Sequence, residues 1–367
     1  PVHTPFDSAR AARSKAAYSV RRLDRTRMST LAQDDARRPR HGDVVLAEVT
    51  KVGYHTVLEL GNGRKATLYT GDEILVAYGP RYAPDHFEAE LPDDLGPCDL
   101  VAAGGILGKV RSRNAAISAP TQVRPLGLGA DADGRQINVA DFALGEPLPA
   151  VHSPPTFIPT TFIVVGTSMN SGKTTTVASL VHGLTRAGLR VGAAKVTGTA
   201  AGGDPWLFRD AGAVVAFDFT DAGMATTFRI PVDQLVRGAL TLHRHLCRHG
   251  VDAIVIEIAD GILQPETAQL LDRPEIRTLT QGVLFAAADS AGALYGMQRL
   301  QAAGHPALAV SGVLTMSPLA VREAQAALDV PVYAPQDLQS PALAGELLRR
   351  ATAESVSVQD GADECLA

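Results

Sequence analysis

The chain has 367 residues, 46% hydrophobic and 20% charged, with a mean hydropathy of +0.05, which excludes a disordered polypeptide and is enough for two cores. A net charge of −5 excludes a general basic field, so neither nucleic acid nor an anionic membrane is an expected partner, and no apolar run reaches the length of a bilayer span. The three cysteines, Cys98, Cys247 and Cys365, are far apart and odd in number, and no signal-peptide core opens the chain, so reduced thiols and a cytoplasmic location are expected.

Residues 1–42 are rich in Arg and Ala, and read as a helix with a polar arm. The arm either binds an anion or a partner, or is a solvated lead-in. From 43 to 144 the pattern changes to short β-like runs, among them Val44–Thr50, His55–Leu60, Lys65–Thr70 and Ile74–Tyr78, which predict a small antiparallel barrel or sandwich. Gly61-Asn-Gly-Arg64 between two of them is a hairpin signal, because Asn and Gly accept positive φ. Gly104-Gly-Ile-Leu-Gly108 has dinucleotide-loop spacing, but no helical pattern follows it, so it reads as a turn. The Pro-rich stretch 145–160 reads as a linker. Over 161–345 strands alternate with amphipathic helices, which predicts a doubly wound, mainly parallel α/β sheet with ligands at the carboxyl ends of its strands; 346–367 reads as a tail.

The second domain opens on the apolar run Thr161–Val165, followed by Gly166-Thr-Ser-Met-Asn-Ser-Gly-Lys-Thr174 and a helical pattern. Strand, Gly-rich loop and helix in this order form a phosphate-binding loop, with the phosphates at a helix N-terminus. Gly166 and Gly172 permit the tight turn. Thr167, Asn170, Ser171 and Thr175 complete the nucleotide contacts, Lys173 reaches the β- and γ-phosphates, and the Thr174 hydroxyl is placed for Mg²⁺. Five residues separate Gly166 from Gly172-Lys173, one more than the usual four.

A loop of this length, starting Gly-Thr and ending Gly-Lys-Thr, resembles that of dethiobiotin synthetase and related P-loop proteins, some linked to D-glutamate metabolism. Lys195-Val-Thr-Gly198 is similar to the Lys-Pro-Val-x-Thr-Gly segment of that family, without the proline. The resemblance implies that Lys195 acts on the transferred phosphoryl group and the acceptor, and that Asp204, with Asp210 behind it, and the strand-end Glu257 hold Mg²⁺ alongside Thr174. It further implies that later strand-end residues, Asp289-Ser290 and Thr315–Pro318, surround the base. Asp218–Thr227 and Asp260 are additional polar candidates, whereas His243, His245, Cys247 and His249 read as a basic helix end rather than a metal site. The N-terminal third is unlike dethiobiotin synthetase, which has a single domain. The expectation is an ATP- and Mg²⁺-dependent enzyme, a ligase or small-molecule kinase acting on a small carboxylate, and a homo-oligomer. The alternative is a nucleotide-switched binding protein of the metallochaperone or cofactor-insertion type, although no Asn/Thr-Lys-x-Asp motif for guanine is found.

Overall fold

The computed structural model describes residues 2–33, 37–145 and 158–364, and the chain divides into two compact units. The first comprises Pro1–Gly145 together with Gly198–Gly203 and Phe219–Arg229, and the second is the remainder.

The first unit contains β1 (Val2–Pro5), β2 (Lys15–Ala16), β3 (Thr30–Gln33), β4 (Val44–Lys51), β5 (Val57–Glu59), β6 (Lys65–Thr67), β7 (Glu73–Tyr78), β8 (Phe87–Glu90), β9 (Cys98–Ala102), β10 (Ile106–Arg113) and β11 (Thr121–Ala130), with a short helix α1 (Ser8–Arg13). Its ladders run β11 to β4, β4 to β7, β7 to β10, β10 to β9 and β9 back to β11, which closes a five-stranded barrel; of the two predicted architectures it is the barrel, and its ladders are antiparallel except that between β7 and β10, which is parallel. Side chains alternate across a strand, so one sequence feeds two cores. Val45, Ala47 and Val49 of β4 join Ile74, Val76 and Tyr78 of β7 in one apolar cluster, whereas Val44, Leu46, Leu75 and Ala77 join the other. That second cluster is covered by Phe6, Tyr18, Met28 and Leu31.

The predicted free arm is therefore corrected. Residues 2–33 supply strands β1 and β3 to the sheet and bury large apolar side chains, which a composition dominated by Arg and Ala conceals. Gly61–Arg64 does form the turn between antiparallel β5 and β6, with Gly63 at φ 84°. Gly105, at φ 90°, turns β9 into antiparallel β10, so the Gly-rich run there is a hairpin and not a nucleotide loop.

The second unit contains β12 (Thr160–Gly166), α2 (Lys173–Arg186), β13 (Val191–Lys195), α3 (Gly203–Asp210), β14 (Val215–Asp218), α4 (Val232–Arg248), β15 (Ala253–Glu257), α5 (Pro265–Leu271), α6 (Pro274–Leu279), β16 (Gly282–Ala286), α7 (Ser290–Ala302), β17 (Ala307–Ser311), α8 (Pro318–Ala327), α9 (Pro335–Leu338) and α10 (Pro341–Glu364). Its six strands are all parallel, in the order β14-β13-β15-β12-β16-β17. Helix α2 packs Val177, Leu180, Val181 and Leu184 against Phe162, Val164 and Val255, each buried side chain contributing about 1.5–3 kcal/mol. Leu347 and Ala351 of α10 enter the same core, so the domain extends past residue 345 and the tail reading is corrected. Of the predicted linker, residues 146–157 lie outside the described residues. No helix among the described residues is long and apolar enough to cross a membrane.

Candidate functional site

Strand β12 is central in its sheet, hydrogen-bonded to β15 on one side and β16 on the other, and its residues from Thr161 to Gly166 are buried, which is why it reads as one apolar run. The loop leaves at Gly166, where an added Cβ would lie 2.4 Å from Ser171 Oγ and 2.5 Å from the Ala286 carbonyl oxygen. It re-enters a helix at Gly172, whose φ of 99° is closed to other residues without strain. Between these points the loop is pinned: Thr167 N–H donates to the Ala286 carbonyl at 3.0 Å, and Val313 N–H donates to that of Ser171 at 3.0 Å. The Lys173 ammonium donates to the Ser168 carbonyl at 2.7 Å, curled back on its own loop. Burial holds it below its ordinary pKa, and the carboxylates of Glu257 and Asp260 oppose that shift.

Register brings the other charged groups to the same edge. Glu257 ends β15 and pairs with Val164 of β12 and with Lys195 of β13, so three residues remote in sequence stand in one row across the sheet. The Lys195 ammonium lies 3.3 Å from Glu257 Oε1 and forms a short hydrogen bond with Asp204, which sits in the first turn of α3. Burial alone would lower Lys195, but Glu257 and Asp204 outweigh it and hold the ammonium above its ordinary value. The Glu257 side chain is only 1% exposed, and burial pushes its carboxyl up while Lys195 pulls it back.

A cavity of about 450 Å³ is lined by Asn170, Lys173, Thr174, Lys195, Asp204 and Glu257, among others. The Thr174 hydroxyl donates to Glu257 Oε1 at 3.3 Å, and Glu257 Oε2 is buried without a hydrogen-bond partner. An orphaned carboxylate oxygen beside a first-turn hydroxyl is a donor set that fits Mg²⁺, which needs only one or two carboxylates when phosphate oxygens and water complete its shell. No group of three or more His, Cys, Asp or Glu side chains able to hold a metal is found among the described residues.

The remaining sequence candidates separate. Thr175 lines this cavity and also a neighbouring one of about 400 Å³ shared with Gly172, Thr315, Met316, Pro335 and Gln336. Thr167 accepts a hydrogen bond from Ala288 N–H, whereas Ser171 Oγ is buried without a hydrogen-bond partner. Asp260 lines the main cavity, whereas Asp210 is exposed at the end of α3. Asp289 and Ser317 cap α7 and α8, and Ser290 donates to Glu323. Met169, Ala259, Val313 and the Pro335-Gln336 pair line the cavities but carry no signal of their own in the sequence.

Two segments without apolar periodicity are ordered within the first unit. In Gly198–Gly203, Ala200 is buried in a core of that unit, and Thr227 N–H donates to the Gly198 carbonyl at 2.9 Å. The segment after the buried Asp218 is likewise structural, with Phe219, Met224 and Ala225 buried and the Thr226 hydroxyl donating to the Pro80 carbonyl at 2.9 Å. Only at their edges do Asp204 and Asp218 belong to the second unit. Along α4, His243 is hydrogen-bonded to Thr161 Oγ1 at 2.9 Å, and His249 Nδ1 lies 2.8 Å from the His245 carbonyl, in keeping with a helix end.

Parallel strands, the pinned loop and a lysine opening the following helix define a P-loop fold, in one chain with a β-barrel unit. No protein-family model and no curated protein matches the chain. Among solved structures it is similar to the signal recognition particle receptor FtsY from Elizabethkingia anophelis in complex with GDP, at 20% identity and a TM-score of 0.34, covering 54% of this chain and 65% of that one. It is similar also to the Signal Recognition Particle 54 kDa protein from Aeropyrum pernix K1 in complex with GDP, at 20% identity and a TM-score of 0.34, covering 55% and 50% respectively. The kinase domain of Escherichia coli tyrosine kinase ETK is matched at 14% identity and a TM-score of 0.32, covering 40% and 64%. The chain thus spans less than two thirds of each of these three structures.

Proposed function

We propose that this protein is an ATP- and Mg²⁺-dependent enzyme that phosphorylates a small carboxylate, activating it for amide-type bond formation. The observation that carries the reading is Lys195: a second, partly buried ammonium at a strand end, sharing a cavity with the phosphate loop and paired with Glu257 and Asp204. Holding a nucleotide requires Lys173 and the α2 N-terminus, but not a further lysine. In the proposed reaction a carboxylate oxygen of the substrate attacks the γ-phosphorus, the bond to the β,γ-bridging oxygen breaks, and ADP leaves with the electron pair. Lys173 holds the phosphate oxygens. Lys195, kept protonated by its carboxylate partners, offsets negative charge that gathers between acceptor and phosphoryl group. Thr174, Glu257 and Asp204 would hold Mg²⁺, which when bound supplies charge neutralisation at the β- and γ-phosphates. The resemblance to dethiobiotin synthetase supports the same roles.

A nucleotide-switched binding protein is the second reading, favoured by one observation: the segments directly following Thr197 and Asp218 are built into the barrel unit. A screen of small carboxylates and amines for ADP release, followed by Lys195→Ala and Lys173→Ala, tests the choice. For an enzyme, Lys195→Ala lowers kcat by about a hundredfold with nucleotide affinity little changed, whereas Lys173→Ala loses nucleotide binding. Unchanged turnover with lost discrimination between triphosphate and diphosphate would reject the enzyme in favour of the switch.

A further inference from the structure

We propose that a basic cavity of the barrel unit binds a small phosphate-bearing metabolite, independently of the phosphate loop. The cavity, about 570 Å³, is lined by five cationic side chains, Arg13, Lys15, Arg21, Arg25 and Arg64, and by no carboxylate, in a chain whose net charge is −5. Two of the five are neutralised and fixed. Lys15 pairs with Asp72, and Arg21 reaches Asp221 at 2.6 Å while its guanidinium lies 4.4 Å over the Tyr18 ring. Arg13, Arg25 and Arg64 have no carboxylate partner among the described residues, so the lining carries three uncompensated positive charges.

Local structure accounts for only part of this gathering. Arg13 ends α1, where the helix dipole favours a cation, and Arg25, in a 3-10 turn, donates to the Ala11 carbonyl of that helix at 3.1 Å, but Arg64 lies in the β5–β6 turn. Three separate elements bring like charges to the rim of one concavity, a positive field that favours an anion. Guanidinium forks match pairs of phosphate oxygens, and the apolar wall of Ala16, Val20, Leu23 and Leu60 offers a surface to an organic group. The volume suits a small molecule rather than a polymer.

Calorimetric titration of the full chain with inorganic pyrophosphate, in a Lys173→Ala background that silences the loop, tests the proposal, with citrate as a polycarboxylate of comparable charge. Binding is expected to persist in that background, to weaken at least tenfold in Arg13→Gln/Arg64→Gln, to fall steeply with added salt, and to be unaffected by the exposed-site control Arg237→Gln. A matching thermal melt establishes that the double variant is folded. Absence of pyrophosphate binding, equal binding by the double variant, or citrate binding as tightly as pyrophosphate would each overturn it.

Discussion

Replacing Lys195 by methionine keeps most of the unbranched stem and removes the ammonium that pairs Glu257 and Asp204. Asp204, whose side chain is 26% exposed, can turn to solvent, but Glu257 at 1% cannot, so the cost falls on one buried carboxylate. Removing one partner of a buried pair costs about 3–5 kcal/mol. A second argument bounds the figure: Glu257 can instead take up a proton, which relative to the unfolded chain costs about 1.4 kcal/mol for each pH unit above its ordinary value near 4.3, hence ~4 kcal/mol at pH 7 and ~1 kcal/mol at pH 5. The sign follows from burial holding the Glu257 carboxyl up. Its folded form binds the proton more tightly than the unfolded form, so the variant loses stability as pH rises through the window above that ordinary value. In the parent, Lys195 is held above its ordinary value, so its pairing persists throughout pH 5–8. Trp206 is the sole tryptophan and lies in α3, two residues after Asp204, so its fluorescence during urea unfolding reports on this site. Lys195→Met should be destabilised by about 3–4 kcal/mol at pH 7 and by ~1 kcal/mol at pH 5 relative to the parent, and Lys195→Met/Glu257→Gln should recover most of the loss. Equal destabilisation at both pH values, or a double variant no better than the single, would refute a charge-based coupling of these residues.

Glu257→Gln keeps the shape and removes a hard anionic ligand, so nucleotide affinity in the presence of Mg²⁺ should require on the order of tenfold more metal, whereas affinity in its absence should change little; titration of Mg²⁺ at fixed nucleotide measures both. His41, His55 and His243 are each held down to about 4 by burial, so folding excludes protons that the unfolded chain binds. Stability should therefore be constant above pH ~6.5 and fall between there and pH 4 by up to about 1.4 kcal/mol per unit per histidine, as read from urea midpoints across that range.

Much of this protein is written in local patterns. Thr161–Val165 followed by Gly166, Gly172 and Lys173 specifies strand, loop and helix, because positive φ, close backbone approach and an orphan-donor helix start are demands that only certain residue types meet. The alternation in β4 and β7 likewise announces strands, and with two buried faces it feeds two apolar clusters. What tertiary structure decided is pairing across distance. Lys195, Glu257 and Val164 share a row only because β15 inserts between β13 and β12, and no spacing in the chain encodes that strand order. Residues 198–203 and 219–229 look like polar loops because their few apolar side chains, Ala200, Phe219, Met224 and Ala225, have no period; they are ordered by the barrel unit's core, to which neither segment is adjacent in sequence. The Arg-rich N-terminal stretch conceals strands for a related reason: Phe6, Tyr18, Met28 and Leu31 are too sparse to form a pattern, and acquire their role only from the barrel face that they cover.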